Sequence, residues 1–194
     1  MPSGLLWAKQ NIGASGETDY GLYFSWGETK GYVDAKSKTN RGATGFTWGS
    51  YEYITGTSGS AAALTKYNSS DGKTVLELED DAAHVNMGGN WRTPTNEEYQ
   101  ELIENTTISV NTINGVNGYK LTSKTDNSKY VFFPAGGMLA NNSHDDGFAL
   151  YWTSDVYTQP KIDARSVRGA HGDFKSSHNN RCHGLNIRGI MNFN

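Results

Sequence analysis

The sequence has little that could form a covalent or metal-bound framework. Cys182 is the one cysteine among 194 residues, so no disulfide can form within the chain. The five histidines form neither an HExxH motif nor the cysteine and histidine spacing of a zinc site. We therefore expect a fold held together by packing and hydrogen bonds, with no metal ligands, no cofactor and no catalytic residues.

Long hydrophobic runs and strong charge are also scarce. No stretch approaches the roughly 18 consecutive apolar residues that indicate a membrane-spanning helix, and no signal-peptide core is present. Charged residues make up 19% of the chain, the net charge is −3, and no basic patch is sustained. We expect neither membrane insertion nor nucleic-acid binding from this composition.

The charge that is present is unevenly distributed. From Lys161 onward the chain has six Lys or Arg and two acidic residues, whereas the first 160 residues have 11 basic and 18 acidic ones. No glutamate follows Glu104. This asymmetry indicates either a C-terminal interaction surface that favours acidic partners or a fold whose helices, where glutamate is common, lie in the first half.

Aromatic residues and glycine are abundant. Five Trp, 11 Tyr and seven Phe supply the apolar area for a core in a chain with few Leu and Val. The 23 glycines and frequent asparagines are typical of a domain rich in loops and strands. A length of 194 residues suits one domain, which we predict to span residues 1–194.

Helical patterns occur twice, both in the first half of the chain. Residues 77–85 have apolar side chains at helical spacing, acidic residues at the start, and two glycines that would end the helix. A second helix is predicted to begin at Thr95, because Glu98 completes a capping box with it. Residues 29–74 are predicted to form a long loop that aromatic side chains hold in place.

Strand patterns dominate the second half, which predicts an α+β fold of two short helices, antiparallel sheets and long loops. Asn114-Gly115 and Asn117-Gly118 are dipeptides typical of hairpin turns. The predicted strands cover residues 5–8, 20–26, 108–113, 119–121, 130–134, 151–154, 164–167 and 185–188.

Several short motifs follow one another along nearly the whole chain. They include Gly4-Leu5-Leu6-Trp7-Ala8, Asn11-Ile12-Gly13-Ala14, Tyr23-Phe24-Ser25-Trp26-Gly27-Glu28, Gly89-Asn90-Trp91-Arg92-Thr93-Pro94-Thr95, Phe133-Pro134-Ala135-Gly136-Gly137 and Tyr151-Trp152-Thr153-Ser154. Together they resemble the Fibrobacter succinogenes major paralogous domain family, which is common in gut Bacteroidetes. That family is similar to the formylglycine-generating-enzyme-like branch of the C-type lectin fold, so the resemblance implies a single C-type-lectin-like domain.

The resemblance implies binding rather than catalysis. Oxidases of the wider fold use cysteines or copper, whereas this chain has only Cys182. Calcium-dependent sugar-binding members carry an acidic Pro-containing motif, which Gln159-Pro160-Lys161 lacks. Sugar recognition through calcium is therefore in doubt. A formylglycine-generating-enzyme-like enzyme and a purely structural surface or pilus component stay open as alternatives.

A narrower resemblance concerns the C-terminal third. Variable proteins of diversity-generating retroelements use this fold and have their mutable residues in the last strands and loops. Randomised asparagine codons there become NNY codons, which never encode Lys, Gln, Glu, Met or Trp. Between Ile162 and Arg188 only Lys175 belongs to that excluded set. An ordinary tail rich in Asn, Gly and Ser would show the same depletion, so both interpretations remain open.

These observations predict a variable ligand-binding segment at about residues 151–190. Alternation along a strand would place Asp163 and Arg165 on one face. We expect the domain to bind a protein or a glycan, at a bacterial cell surface, outside the cell or on a phage. The candidate contact residues are Asp155, Tyr157, Asp163, Arg165, Arg168, His171, Asp173, His178, Asn180 and His183.

Overall fold

The computed structural model describes residues 2–33, 45–141, 143–159 and 161–192, and the elements below lie within these ranges. Two α-helices precede a series of antiparallel strands, so the mixed α+β class is confirmed. Residues 34–44 of the predicted long loop lie outside the described ranges, as does Pro160 of the predicted binding segment. The described part of that loop contains short 3-10 turns at Trp48–Ser50 and Ala61–Ala63.

Helix α1 spans Ala82–Met87 and helix α2 spans Asn96–Glu104. The capping box at Thr95 and Glu98 is present at the start of α2, as predicted. The first helix is shorter than the predicted 77–85 because Asp81 has an extended backbone and caps α1 instead of continuing a helix from Leu78. Its carboxylate accepts hydrogen bonds from the main-chain N–H groups of the first turn.

The strands form four small antiparallel sheets. The strands are β1 (Leu5–Trp7), β2 (Thr106–Ile113), β3 (Val116–Ser123), β4 (Tyr130–Pro134), β5 (Met138–Ala140), β6 (Ser143–Asp145), β7 (Ala149–Val156), β8 (Asp163–Ala170), β9 (Asp173–Asn180) and β10 (Ile190–Asn192). Strand β1 pairs with β10, β2 and β4 flank β3, β5 pairs with β6, and β7 and β9 flank β8.

One of the two predicted hairpin turns is present and the other is wrong. Asn114 and Gly115 both have positive φ, 51° and 79°, and connect β2 to β3. Asn117 and Gly118 lie inside β3 instead. A side chain at Gly118 would collide with the Phe132 ring, because a Cβ there would be 2.5 Å from the nearest ring atom. Close packing between strands, rather than a turn, therefore explains this glycine.

Two predicted strands, 20–26 and 185–188, are not regular strands. Phe24 pairs with Leu185, and Tyr151 pairs with Asn186, through isolated bridges only. Gly21 and Gly27 have φ values of 69° and 81°, which interrupt an extended conformation at both ends of the first segment. Residues 23–26 and 185–188 are nevertheless buried, whereas Tyr20 is exposed.

The sheet of β7, β8 and β9 separates two clusters of the core. Alternation along β7 sends Leu150 and Trp152 into one cluster and Tyr151 into the other. Strand β9 was not predicted, because most of its residues are polar and show no apolar alternation. It pairs with all eight residues of β8 through the tight turn at His171 and Gly172, whose φ values are 52° and 82°.

Arg188 is completely buried and joins three parts of the chain. Its Nε and Nη2 groups donate to Asn11 Oδ1 at 3.0 and 2.7 Å, and Nη2 also donates to the Phe132 carbonyl at 2.8 Å. Nη1 donates to the main-chain carbonyls of Ala8 and Lys9 at 3.1 and 3.2 Å. The buried guanidinium thus connects the segment after β1 to β4, and its charge is offset by oriented carbonyl dipoles.

Candidate functional site

Three of the predicted contact residues meet at the open end of the β7–β8–β9 sheet. Arg165 on β8 lies directly opposite His178 on β9. Tyr157 follows the end of β7, and its main-chain N–H donates to the Asp163 carbonyl at 3.2 Å. Because directly opposed residues of antiparallel strands point to the same face, Arg165 and His178 share one surface, which Tyr157 reaches from β7.

These three side chains form a layered cluster, which we call the Tyr157 stack. The rings of Tyr157 and His178 are parallel within 4° and their centroids are 4.1 Å apart. The guanidinium carbon of Arg165 lies 5.3 Å from the centre of the Tyr157 ring. The His178 side chain is 43% exposed, and Tyr157 and Arg165 are partly exposed. The stack therefore offers a preformed aromatic and cationic surface to solvent.

Asp163 supports this surface from beneath and is not itself exposed. Its residue exposure is 5%, and its Oδ2 atom lies 2.6 Å from Nδ1 of His178. The Asp163 carboxylate therefore lies beneath the surface in this structure, and its direct contact with a ligand stays a prediction. The prediction that Asp163 and Arg165 lie on one face of β8 agrees with the register, but only Arg165 reaches the surface.

Asp155 borders the stack and ties it to helix α2. Its Oδ2 atom accepts a hydrogen bond from the main-chain N–H of Asn96 at 2.5 Å and another from the Thr153 hydroxyl at 3.1 Å. Burial raises the pKa of the Asp155 carboxyl, while the donated hydrogen bonds and the nearby Arg165 charge act in the opposite direction. A partly desolvated carboxylate beside an exposed cation is the kind of group found at binding surfaces.

Helix α2 also contacts β9, and no sequence pattern indicated this packing. The Ser176 hydroxyl donates to the Asn96 side chain at 2.5 Å and accepts from Gln100 at 2.6 Å. These contacts join residues about 80 positions apart, so no local motif could have predicted them. They hold the start of α2 against the sheet next to the Tyr157 stack.

Arg181 lies below the stack as a second completely buried guanidinium. It donates to the carbonyls of Asp163 at 3.2 Å, Tyr67 at 3.0 Å and Lys161 at 2.7 Å. Burial lowers the pKa of this side chain. Because Arg181 and Arg188 are both buried, two of the six C-terminal cations do not contribute exposed charge. The surface is thus less basic than the sequence suggests.

The other predicted contact residues lie elsewhere. Arg168 is on the opposite face of β8, where its guanidinium is 4.9 Å from the Phe148 ring. His171 and Asp173 are exposed at the β8–β9 turn, about 24 Å along the strands from Asp163 at about 3.4 Å per residue. The ten candidates therefore do not form one surface. One lies on the opposite face of the β8–β9 hairpin, and two lie at its far end.

Asn180 and His183 lie near Asp163, at the base of the site. Both are partly buried, and the main-chain N–H of His183 donates to the Asn180 carbonyl at 2.9 Å. Burial lowers the pKa of His183, and the Asp163 charge opposes this shift. They adjoin the stack without belonging to it.

The described residues contain one group of carboxylates that could hold a metal ion, formed by Glu77, Glu79 and Asp80. The Lys66 ammonium already lies among them, at 3.0, 3.0 and 2.5 Å from the three carboxylates. Cys182 is 2% exposed and packs with Tyr51, so its thiol is shielded from solvent. Neither feature extends the Tyr157 stack.

Comparison with known proteins gives no match: no family model, no curated protein and no solved structure matches the chain. Among the described helices, none combines the length and the apolar character that crossing a membrane requires. The function is therefore inferred from the chemistry of the site itself.

Proposed function

We propose that this chain is a non-catalytic binding domain that contacts a protein or glycan ligand through the Tyr157 stack. The observation that supports the proposal is the exposed, parallel pairing of Tyr157 with His178, flanked by Arg165. Tyr and Arg are enriched among the residues that contribute most to binding. Together with His178, Tyr157 and Arg165 form a compact contact surface at one end of the β7–β8–β9 sheet.

The stack suits binding because its side chains are already ordered. His178 is hydrogen-bonded to Asp163, and Tyr157 lies against the His178 ring. Ordering a flexible side chain on binding costs roughly 0.5–1.5 kcal/mol, and much of this cost is avoided when the side chain is held beforehand. The buried Arg181 further restrains the main chain at Asp163 and Lys161.

The proposal includes a C-type-lectin-like scaffold at a cell or phage surface. Two short helices and small antiparallel sheets are compatible with that fold, and the motif resemblance supports it. Such a scaffold would fix the position of the segment that follows β7, so that its side chains could contact a ligand. Expression with its native flanking sequence, followed by surface labelling of intact cells, tests the location.

Alanine at Tyr157 is expected to weaken binding by at least tenfold, because truncation removes the ring that links the other two side chains. The ligand for this measurement is the strongest binder selected from an immobilised glycan array and a displayed random-peptide library. Affinity is then measured by calorimetry for wild type, Tyr157→Ala and Arg165→Ala. A tenfold change corresponds to about 1.4 kcal/mol, within the range of contact hot spots.

His171→Ala provides the matched control, because His171 is exposed at the far turn of the same hairpin. Its affinity should stay within about twofold of wild type, or ~0.4 kcal/mol. Binding that tolerates both stack substitutions but is abolished by His171→Ala would move the contact surface to the turn and reject this site.

We also propose that the C-terminal segment is diversified by a retroelement. Within it, Arg165 and His178 are exposed or partly exposed while Arg181 and Arg188 are buried. This separates candidate variable positions from structural ones. The neighbouring DNA should contain a reverse-transcriptase gene and an imperfect repeat of the 3′ coding region, with mismatches at adenines. A locus without a repeat would reject diversification and leave the binding proposal intact.

A further inference from the structure

The hydrogen bond beneath the Tyr157 stack determines which chemistry His178 presents to solvent. The Nδ1 atom of His178 lies 2.6 Å from Asp163 Oδ2. A carboxylate has no hydrogen to donate, so the shared hydrogen must be on Nδ1. In a neutral imidazole the other nitrogen, Nε2, then carries a lone pair and no hydrogen.

We propose that Asp163 is a positioning residue that holds His178 in the Nδ1–H form, so that the site offers a hydrogen-bond acceptor at Nε2. This inference rests on the proposed binding function and names the ligand chemistry at one point of the site. The ligand donates a hydrogen bond to Nε2. A carboxylate or sulfate group, which can only accept, does not fit there.

The neighbouring Arg165 supplies the opposite chemistry. Among the described residues its guanidinium has no hydrogen-bond partner, so its N–H groups remain available to a ligand that accepts. The stack thus places an acceptor and a donor on opposed residues of two strands. A ligand group that both donates and accepts matches this pair, whereas a simple anion matches only Arg165.

The charges around His178 support the assignment. Asp163 faces it from β8 below the surface, and Arg165 faces it from the same strand at the surface. Asp155 on β7 lies close enough to Arg165 for the positive charge to lower the pKa of its carboxyl. The negative charge of Glu97 on α2 raises that pKa. Tyr157 covers one face of the ring, and the His178 side chain as a whole is 43% exposed. Protonating the ring would convert Nε2 from an acceptor into a donor.

Nitrogen-15 NMR of the ligand-free protein tests the assignment, with all histidine rings labelled. At about pH 8.5, above the usual histidine pKa of ~6.5, the Nε2 signal of His178 should lie far downfield, as an unprotonated ring nitrogen does. His178→Gln identifies the signal by removing it. His171, whose ring is exposed at the turn, serves as the internal control and should show mainly the Nε2–H form that free histidine favours.

The wild-type spectrum alone can overturn the proposal, because a protonated Nε2 on neutral His178 would contradict it. Asp163→Ala should shift His178 towards the Nε2–H form, and an unchanged spectrum would show that Asp163 does not set the tautomer. Since no ligand is used, this test can fail while Tyr157→Ala still abolishes binding. The failure of the tautomer and the failure of the binding function are therefore distinguishable.

Discussion

Replacing Arg188 with lysine is expected to lower the free energy of unfolding by about 3–5 kcal/mol, the range for disrupting a buried charged network. Arg188 is 0% exposed and donates to Asn11, Ala8, Lys9 and Phe132. Lysine keeps the positive charge but has one compact ammonium group, so it cannot reach acceptors on both sides. Several buried acceptors would lose their partners. Urea unfolding followed by tryptophan fluorescence measures the difference.

Arg168→Lys is the matched control, since Arg168 is exposed and its guanidinium lies over the Phe148 ring. Its effect should stay within about 0.5 kcal/mol, as is usual for surface substitutions. Equal effects of the two lysine variants would contradict the structural role assigned to Arg188.

Alanine at Asp81 is expected to destabilise the protein by about 3 kcal/mol, because hydrogen bonds to buried charged groups contribute ~1.5–3 kcal/mol each and are not additive. Its carboxylate accepts from Ala83 and His84 at the start of α1, at 2.9 and 3.3 Å. It also accepts from the Thr93 hydroxyl at 2.6 Å and from the Thr93 main-chain N–H at 2.8 Å. One side chain thus caps a helix and anchors the approach to α2.

Hydrogen exchange of the α1 amides distinguishes this role from a general loss of stability. In Asp81→Ala the amides of Ala83 and His84 should exchange faster than the rest of the core when compared at equal global stability. Asp173→Ala, which removes an exposed carboxylate paired with Lys175 at 3.0 Å, should leave α1 unchanged. Uniformly faster exchange throughout the core would reject a local capping role for Asp81.

The contrast between the helices and β9 shows what local sequence can predict. Thr95 and Glu98 lie three residues apart, and the side chain of each accepts a hydrogen bond from the main-chain N–H of the other. The start of α2 could therefore be predicted from its own residues. Strand β9 depends on pairing with β8 and on contacts of Ser176 with α2. Pairing stabilises a polar strand whose own residues carry little strand preference.

The candidate site could be predicted only in part, because its assembly also depends on contacts between residues that are distant in the sequence. Tyr157, Arg165 and His178 stood out as polar or aromatic residues in the C-terminal segment, and the structure brings these three together. The sequence could not reveal that Asp163 is buried, because its burial depends on which face and which end of β8 the rest of the domain covers. Alternation along the strand, by contrast, already places Arg168 on the face opposite Arg165.

The pairing of β1 with β10 has a practical consequence for how this domain can be joined to others. Leu5 lies beside Asn192 and Trp7 beside Ile190, so the outer ends of these two strands lie roughly 5 Å apart in an antiparallel pair. Two adjacent residues in a loop of another protein could therefore receive the domain with little distortion. Such a graft would carry the Tyr157 stack into a new host as a module.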